Sequence, residues 1–288
     1  MLRRLALIAA SACLIGLGGA AAQAQRTREI VAYQDVRVDV IVEGRGPTVV
    51  LLPSRGRDSE DFDDIAAGIA GAGFHVLRPQ PRGAGSSTGP MNGLSLHDFA
   101  RDVAEVIRHE GGGPAVIVGH AFGNWVARMT AVDHPQLVRG VVIAAAAAKA
   151  YPTGFAGAKE LSEGVKKAGD LSLPDDQRLR YLRAVFFAPG NDAAIWLKGW
   201  HPEVDEAQSA AGRATKQSAW WPGGTAPLLD LQAELDPFKP RGMMNEMKEE
   251  FGDRVTIVVI PNASHALIPE QPAAVSEAIV AWMRKLPQ

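Results

Sequence analysis

Residues 115–123 read Ala115-Val116-Ile117-Val118-Gly119-His120-Ala121-Phe122-Gly123. Four apolar residues in a row after the breaker Gly111-Gly112-Gly113-Pro114 suit a short strand buried on both faces. A helix is predicted from Gly123 to about His134. Two glycines flank the join, and a side chain at either would clash with the strand or the helix. This strand–turn–helix unit implies a parallel sheet, because a strand buried on both faces needs helices above and below it.

The pattern extends in both directions. Upstream, Val36, Val38, Val40 and Val42 alternate with polar residues, and Glu43-Gly44-Arg45-Gly46-Pro47 supplies a turn, which reads as an antiparallel strand or hairpin. Strands are predicted at Thr48–Leu52 and Phe74–Leu77. Helices are predicted from Asp58 or Ser59 to about Ala72 and from Leu94 to about Glu110. Downstream, a strand is predicted at Leu137–Ala145. Regular alternation then stops until Ala226–Gln232, followed by a helix at Arg241–Glu250, a strand at Val255–Ile260 and a helix at Pro272–Lys285. The residues between, about 147–225, look helical but are broken by Pro and Gly. They hold Trp196, Trp200, Trp220 and Trp221, four of the six tryptophans. The fold expected is α/β, a mostly parallel central sheet covered on both faces, with a helical insertion.

Composition narrows the function. The chain has 288 residues, 47% of them apolar and 22% charged, which excludes a disordered or collagen-like chain. Its formal charge is −2 with no long run of one sign, so no nucleic-acid partner is expected. A single Cys excludes a disulfide framework. The seven His show no H-x-x-x-H or similar spacing, so neither a metal nor another cofactor is expected. Arg3 and Arg4, the apolar run from Leu5 to about Gly19 and the ending Ala22-Gln23-Ala24 form a secretory signal segment, 1–24, cleaved after Ala24. Its apolar run is too short to span a membrane. The expectation is a periplasmic or secreted bacterial protein with no membrane anchor, acting on a small molecule. Its oligomeric state stays open.

The turn at 119–123 has the form of the nucleophile elbow G-x-S-x-G, with Ala121 where Ser belongs. Asp236 follows a late strand in Leu231-Gln232-Ala233-Glu234-Leu235-Asp236-Pro237. His265 follows the last strand in Pro261-Asn262-Ala263-Ser264-His265-Ala266. The chain order of elbow, acid and base, together with Arg82-Gly83-Ala84-Gly85-Ser86-Ser87, resembles the α/β-hydrolase family over essentially all of residues 25–288. The resemblance implies a core of 25–146 and 226–288, with 147–225 as a cap over the active site. Trp196, Trp200, Trp220 and Trp221 would then either line an apolar or aromatic substrate pocket or simply fix the packing of the cap.

Two departures bear on the chemistry. A methyl group at 121 cannot attack a carbonyl, so a covalent acyl-enzyme is closed to this chain. The family usually places His-Gly after the strand at 48–52, where this chain has Pro53-Ser54-Arg55-Gly56. The oxyanion hole would then consist of the Phe122 N–H and an N–H from Ser54 or Arg55, since Pro53 has none. Arg55 is either a holder of a substrate carboxylate or an exposed loop residue. The signal segment and Pro53-Ser54 together argue that Ala121 is natural rather than a knock-out. Three functions follow: ester or amide hydrolysis with His265 and Asp236 activating water, proton abstraction by the same pair in a lyase-like or cofactor-free oxygenase-like reaction, or silent binding of a small apolar ligand.

Overall fold

The computed structural model describes residues 26–155 and 157–287. Residues 1–24, expected to be a signal segment, lie outside the described residues.

The chain opens with β1 (Thr27–Tyr33), β2 (Val36–Gly44) and β3 (Thr48–Leu52). It continues through α1 (Asp63–Gly71), β4 (His75–Pro79), α2 (Leu96–His109), β5 (Ala115–His120), α3 (Phe122–Asp133) and β6 (Val138–Ala144). Next come α4 (Ala158–Ala168), α5 (Asp175–Val185), α6 (Pro202–Ala214) and α7 (Gln217–Trp220). The chain closes with β7 (Leu228–Ala233), α8 (Glu246–Phe251), β8 (Val255–Ile260), α9 (Leu267–Glu270) and α10 (Pro272–Met283).

The eight strands form one sheet in the order β1-β2-β4-β3-β5-β6-β7-β8. β2 runs antiparallel to both β1 and β4, and all other pairs are parallel. Strand β5 is buried at every residue, as its unbroken apolar run requires. Two apolar cores lie on the two faces of the sheet. α2 and α3 cover one and α1 and α10 the other. The helix α2 shows why these segments are helical. Ser95 caps it reciprocally with Asp98, and Leu96, Phe99, Val103, Val106 and Ile107 form its buried stripe.

One strand and two helices differ from the sequence reading. β1 was not anticipated: it is an edge strand whose residues, Val31 apart, are exposed or half-buried, so it carries little alternation. The helix predicted at 241–250 is instead a 3-10 turn at Arg241–Met243 followed by α8 from Glu246. The helix predicted from 58 or 59 begins as a 3-10 turn at Ser59–Phe62, capped by Asp58, and becomes α-helical at Asp63. Among the described residues, no helix is long and apolar enough to cross a membrane.

β3 has β4 on one side and β5 on the other, so the strand order reverses at β3. In open parallel sheets, the crevice at the carboxyl ends of such strands is where ligands bind. The loop Pro53–Gly56 and the turn at Ala121 both leave the sheet there.

Candidate active site

β5 passes into α3 through the single residue Ala121, held at φ +46° and ψ −111°. This is a left-handed conformation that a non-Gly residue occupies only when its surroundings impose it. Ala121 N–H donates to Ala144 O at 2.9 Å, and Asn124 donates back to Ala121 O from both its backbone and its side-chain amide. The flanking glycines are obligatory. A Cβ on Gly119 would lie 2.3 Å from Gly123 O, and one on Gly123 would lie 2.3 Å from Leu52 O. The backbone therefore keeps the tight elbow although its tip carries only a methyl group.

Asp236 and His265 leave the carboxyl ends of β7 and β8 and meet beside that tip. His265 Nδ1 lies 3.0 Å and 3.2 Å from the two Asp236 oxygens, and both residues are buried. Nδ1 facing a carboxylate carries the proton, which leaves Nε2 with its lone pair. Phe238 N–H also donates to Asp236 Oδ1 at 2.8 Å and fixes the carboxylate plane. The ring of Phe238 sits 4.2 Å from the His265 ring, and that of Phe186 5.8 Å away.

His120, next to the elbow tip, is fully buried. Its Nε2 lies 2.6 Å from His265 O, so Nε2 carries the hydrogen and donates it. Burial, and to a lesser degree the neighbouring His265, push its pKa down to about 3, so it stays neutral and holds the backbone of His265 in place.

Ala121 and His265 open on a cavity of about 150 Å³. Ser54, Arg55 and Phe122 line one side of it. Trp125, Phe186, Trp200 and Phe238 form its aromatic wall, with Val165 and Ala147 beside them. Phe122 is the first residue of α3, so its N–H has no acceptor within the helix and is free for an oxyanion. In the facing loop, Arg57 N–H donates to Ser54 O and Gly56 N–H to Gln208 Oε1. The Arg57 and Gly56 N–H groups are thus already engaged. The Arg55 guanidinium bonds Asp205 of α6 at 2.6 Å.

The segment between β6 and β7 supplies Val165, Phe186 and Trp200 to this cavity and is fastened to the core by Arg57. That buried guanidinium pairs with Asp61, donates to Lys198 O, and lies 4.6 Å and 4.9 Å from the Trp196 and Trp200 rings. Cation–π contacts removed from water contribute on the order of 2 kcal/mol. His201 adds two links: its N–H donates to Gly56 O at 2.8 Å, and its Nε2 lies 2.9 Å from Asp58.

The four tryptophans expected to line the pocket divide by position. Trp200 lines it. Trp196 does not, being buried behind His120 and Phe186. Trp220 and Trp221 do not either: they belong to the core under α3, where both rings flank the buried Arg128 at 4.5 Å. Sequence reasoning missed Trp125, Phe186 and Phe238. Trp125 had a usable signal, since it lies four residues after Ala121 on the elbow helix and so faces the same way. Arg82 of the Gly-rich loop pairs with Asp102 through two bonds of 2.8 Å and braces β4 against α2, away from the cavity lining.

Comparison with known proteins bears on the family and the fold. The model of the alpha/beta hydrolase family matches residues 49–278. The chain is 29% identical over 155 residues to a soluble epoxide hydrolase of Corynebacterium sp., covering 54% of this chain and only about half (48%) of that protein. It is 26% identical over 248 residues to a pyrethroid hydrolase of Sphingobium wenxiniae, covering 80% of this chain and 85% of that one. The crystal structure of E-2-(acetamidomethylene)succinate hydrolase superposes with a TM-score of 0.72 at 22% identity, covering 90% of this chain and 100% of that one.

Proposed function

The chain belongs to the alpha/beta hydrolase family, and from that premise we propose that it hydrolyses a small apolar or aromatic ester or amide by direct attack of water. The supporting observation is the His265–Asp236 pair, opening on an aromatic-walled cavity beside a tight elbow whose tip carries a methyl group. In this reading the segment 147–225 acts as the cap that closes the cavity. In the same reading residues 1–24 are a cleaved export signal, and the protein acts in the periplasm or after secretion.

The steps follow from the groups present. His265 Nε2 removes a proton from water, and the oxygen bonds to the substrate carbonyl carbon. The carbonyl becomes an oxyanion held by the Phe122 N–H and an N–H of the Ser54–Arg55 loop. The tetrahedral intermediate expels its alcohol or amine, which takes the proton from His265. Asp236 holds the imidazole in the required tautomer and stabilises the imidazolium. The products are a carboxylic acid and the leaving group, with no covalent enzyme adduct.

The test is Ala121→Ser. Adding Oγ beside His265 should raise hydrolysis of activated esters by about 10²-fold or more and create labelling by a serine-directed phosphonate, since triads contribute factors of this order beyond oxyanion stabilisation. A folded variant with neither gain would show that Pro53–Gly56 and Phe122 do not form a working oxyanion hole. Conversion of a substrate by the unaltered protein without incorporation of water would replace hydrolysis with simple proton abstraction by the same pair.

A further inference from the structure

At the opposite end of the sheet from the cavity, three potential ligands come together and a fourth, His75, stands against one of them. Glu29 lies on the edge strand β1, His75 begins β4, and His109 and Glu110 end α2. One ligand atom each from Glu29, His109 and Glu110 lie within 4.8 Å of one another. His75 Nε2 is 3.4 Å from Glu110 Oε2, and His109 Nε2 is 4.0 Å from Glu29 Oε2.

Charge makes the cluster unusual. Carboxylates near it have guanidinium partners: Glu43 pairs with Arg78 at 3.1 Å and Glu105 with Arg108 at 2.7 Å. Among the described residues, the only Lys, Arg or His nitrogens within 4.0 Å of Glu29 and Glu110 are the two imidazoles. Glu29 Oε1 is buried with no donor facing it, and the Glu110 carboxyl lies within hydrogen-bonding reach of the Glu29 carboxyl. Two carboxylates held this close with no fixed cation repel each other unless a cation or a shared proton lies between them.

We propose that Glu29, His75, His109 and Glu110 bind one divalent transition-metal cation of the zinc class. In a tetrahedral site with bonds of about 2.0–2.1 Å, neighbouring ligand atoms stand about 3.3 Å apart. The His75–Glu110 edge of 3.4 Å already matches that spacing. The remaining edges close by rotation of His109 and Glu29, whose side chains are 50% and 35% exposed and so have room to move, and by a shift of His75, which stands outside the 4.8 Å set. Two imidazoles with two carboxylates select zinc, nickel or copper over magnesium or calcium, which prefer all-oxygen shells. The ion ties β1, β4 and α2 together at the sheet edge, so its binding raises thermal stability. The spacing along the chain hides the set, since its members are 29, 75, 109 and 110.

The test uses the full chain freed of metal by chelator. Zinc chloride is added in a calorimeter with magnesium chloride in parallel, and unfolding is followed with and without zinc. One zinc per chain, an upward shift in Tm and no magnesium binding are expected. Glu110→Gln and His109→Asn should each weaken zinc by about tenfold or more, as loss of a ligand does. His97→Asn, an exposed histidine elsewhere on α2, should leave binding unchanged. Cobalt should give the visible absorption of a tetrahedral site, lost in both ligand variants. Absence of saturable zinc binding would overturn the proposal, as would equal binding by Glu110→Gln and His109→Asn proteins of native circular dichroism.

Discussion

The elbow at 119–123 and the loops bearing Asp236 and His265 face each other across one cavity, yet they have kept different things. The Asp236 and His265 loops hold both a shape and reactive atoms: an imidazole 3.0 Å from a buried carboxylate. The elbow holds the shape alone, with Ala121 at φ +46° and no hydroxyl. Backbone geometry and chemistry are therefore separable at this site. The elbow is imposed by the close approach of Gly119 and Gly123 to neighbouring backbone, by the Ala144 carbonyl and by Asn124. What it still supplies is the Phe122 N–H at a helix N-terminus, the one part of the elbow's chemistry that needs no side chain.

The comparison can be broken first by attacking the elbow's shape. Gly123→Ala would force a Cβ to within 2.3 Å of Leu52 O and 2.7 Å of Pro53 O, both backbone atoms that cannot yield. A loss of about 3 kcal/mol or more is expected, at the upper end of overpacking costs, measured by urea unfolding. A loss under about 0.5 kcal/mol would mean that the turn is not imposed by packing.

A smaller effect sharpens the other side. His120 is held neutral, with its pKa pushed down to about 3 by burial, whereas an unfolded histidine titrates near 6.5. Between those values the unfolded chain binds the extra proton, so stability falls as pH drops from about 6.5 toward 3. This histidine contributes a slope of up to about 1.4 kcal/mol per pH unit. In His120→Gln, with the native fold retained, the unfolding free energy should fall less steeply below pH 6.5. An unchanged slope would show that His120 charges without cost.

The smallest expected change is at the rim. The Arg55–Asp205 pair is more than a third exposed on both sides. Arg55→Gln should therefore shift stability by less than about 1 kcal/mol, the range of exposed ion pairs. A selective rise in KM for substrates bearing a carboxylate would identify Arg55 as their holder. Equal KM values for neutral and anionic substrates would leave it as a link between the oxyanion loop and α6.

Much of this site was legible in the sequence for a physical reason. A parallel sheet brings together residues a few positions past its strand ends, and the runs at 115–118, 228–233 and 255–260 mark such points ahead of Ala121, Asp236 and His265. The position of the helical segment between β6 and β7 was readable for the same reason. Which of its tryptophans face the cavity was not. Facing depends on long-range packing, and Arg128, a residue of α3, draws Trp220 and Trp221 into the core. β1 carried too little alternation to be seen, because most of it sits half in water on the sheet edge. The Glu29–His109–Glu110 cluster was invisible because the packing of α2 against β1 joins residues some 80 positions apart.

The central claim is that His265, positioned by Asp236, performs the chemistry that the elbow no longer can. The most direct measurement is the initial rate of hydrolysis of small aromatic esters by the unaltered protein and by His265→Ala, with circular dichroism showing that both are folded. The account predicts slow turnover by the unaltered protein and a fall to the uncatalysed rate in the variant. Unchanged turnover in His265→Ala would contradict it.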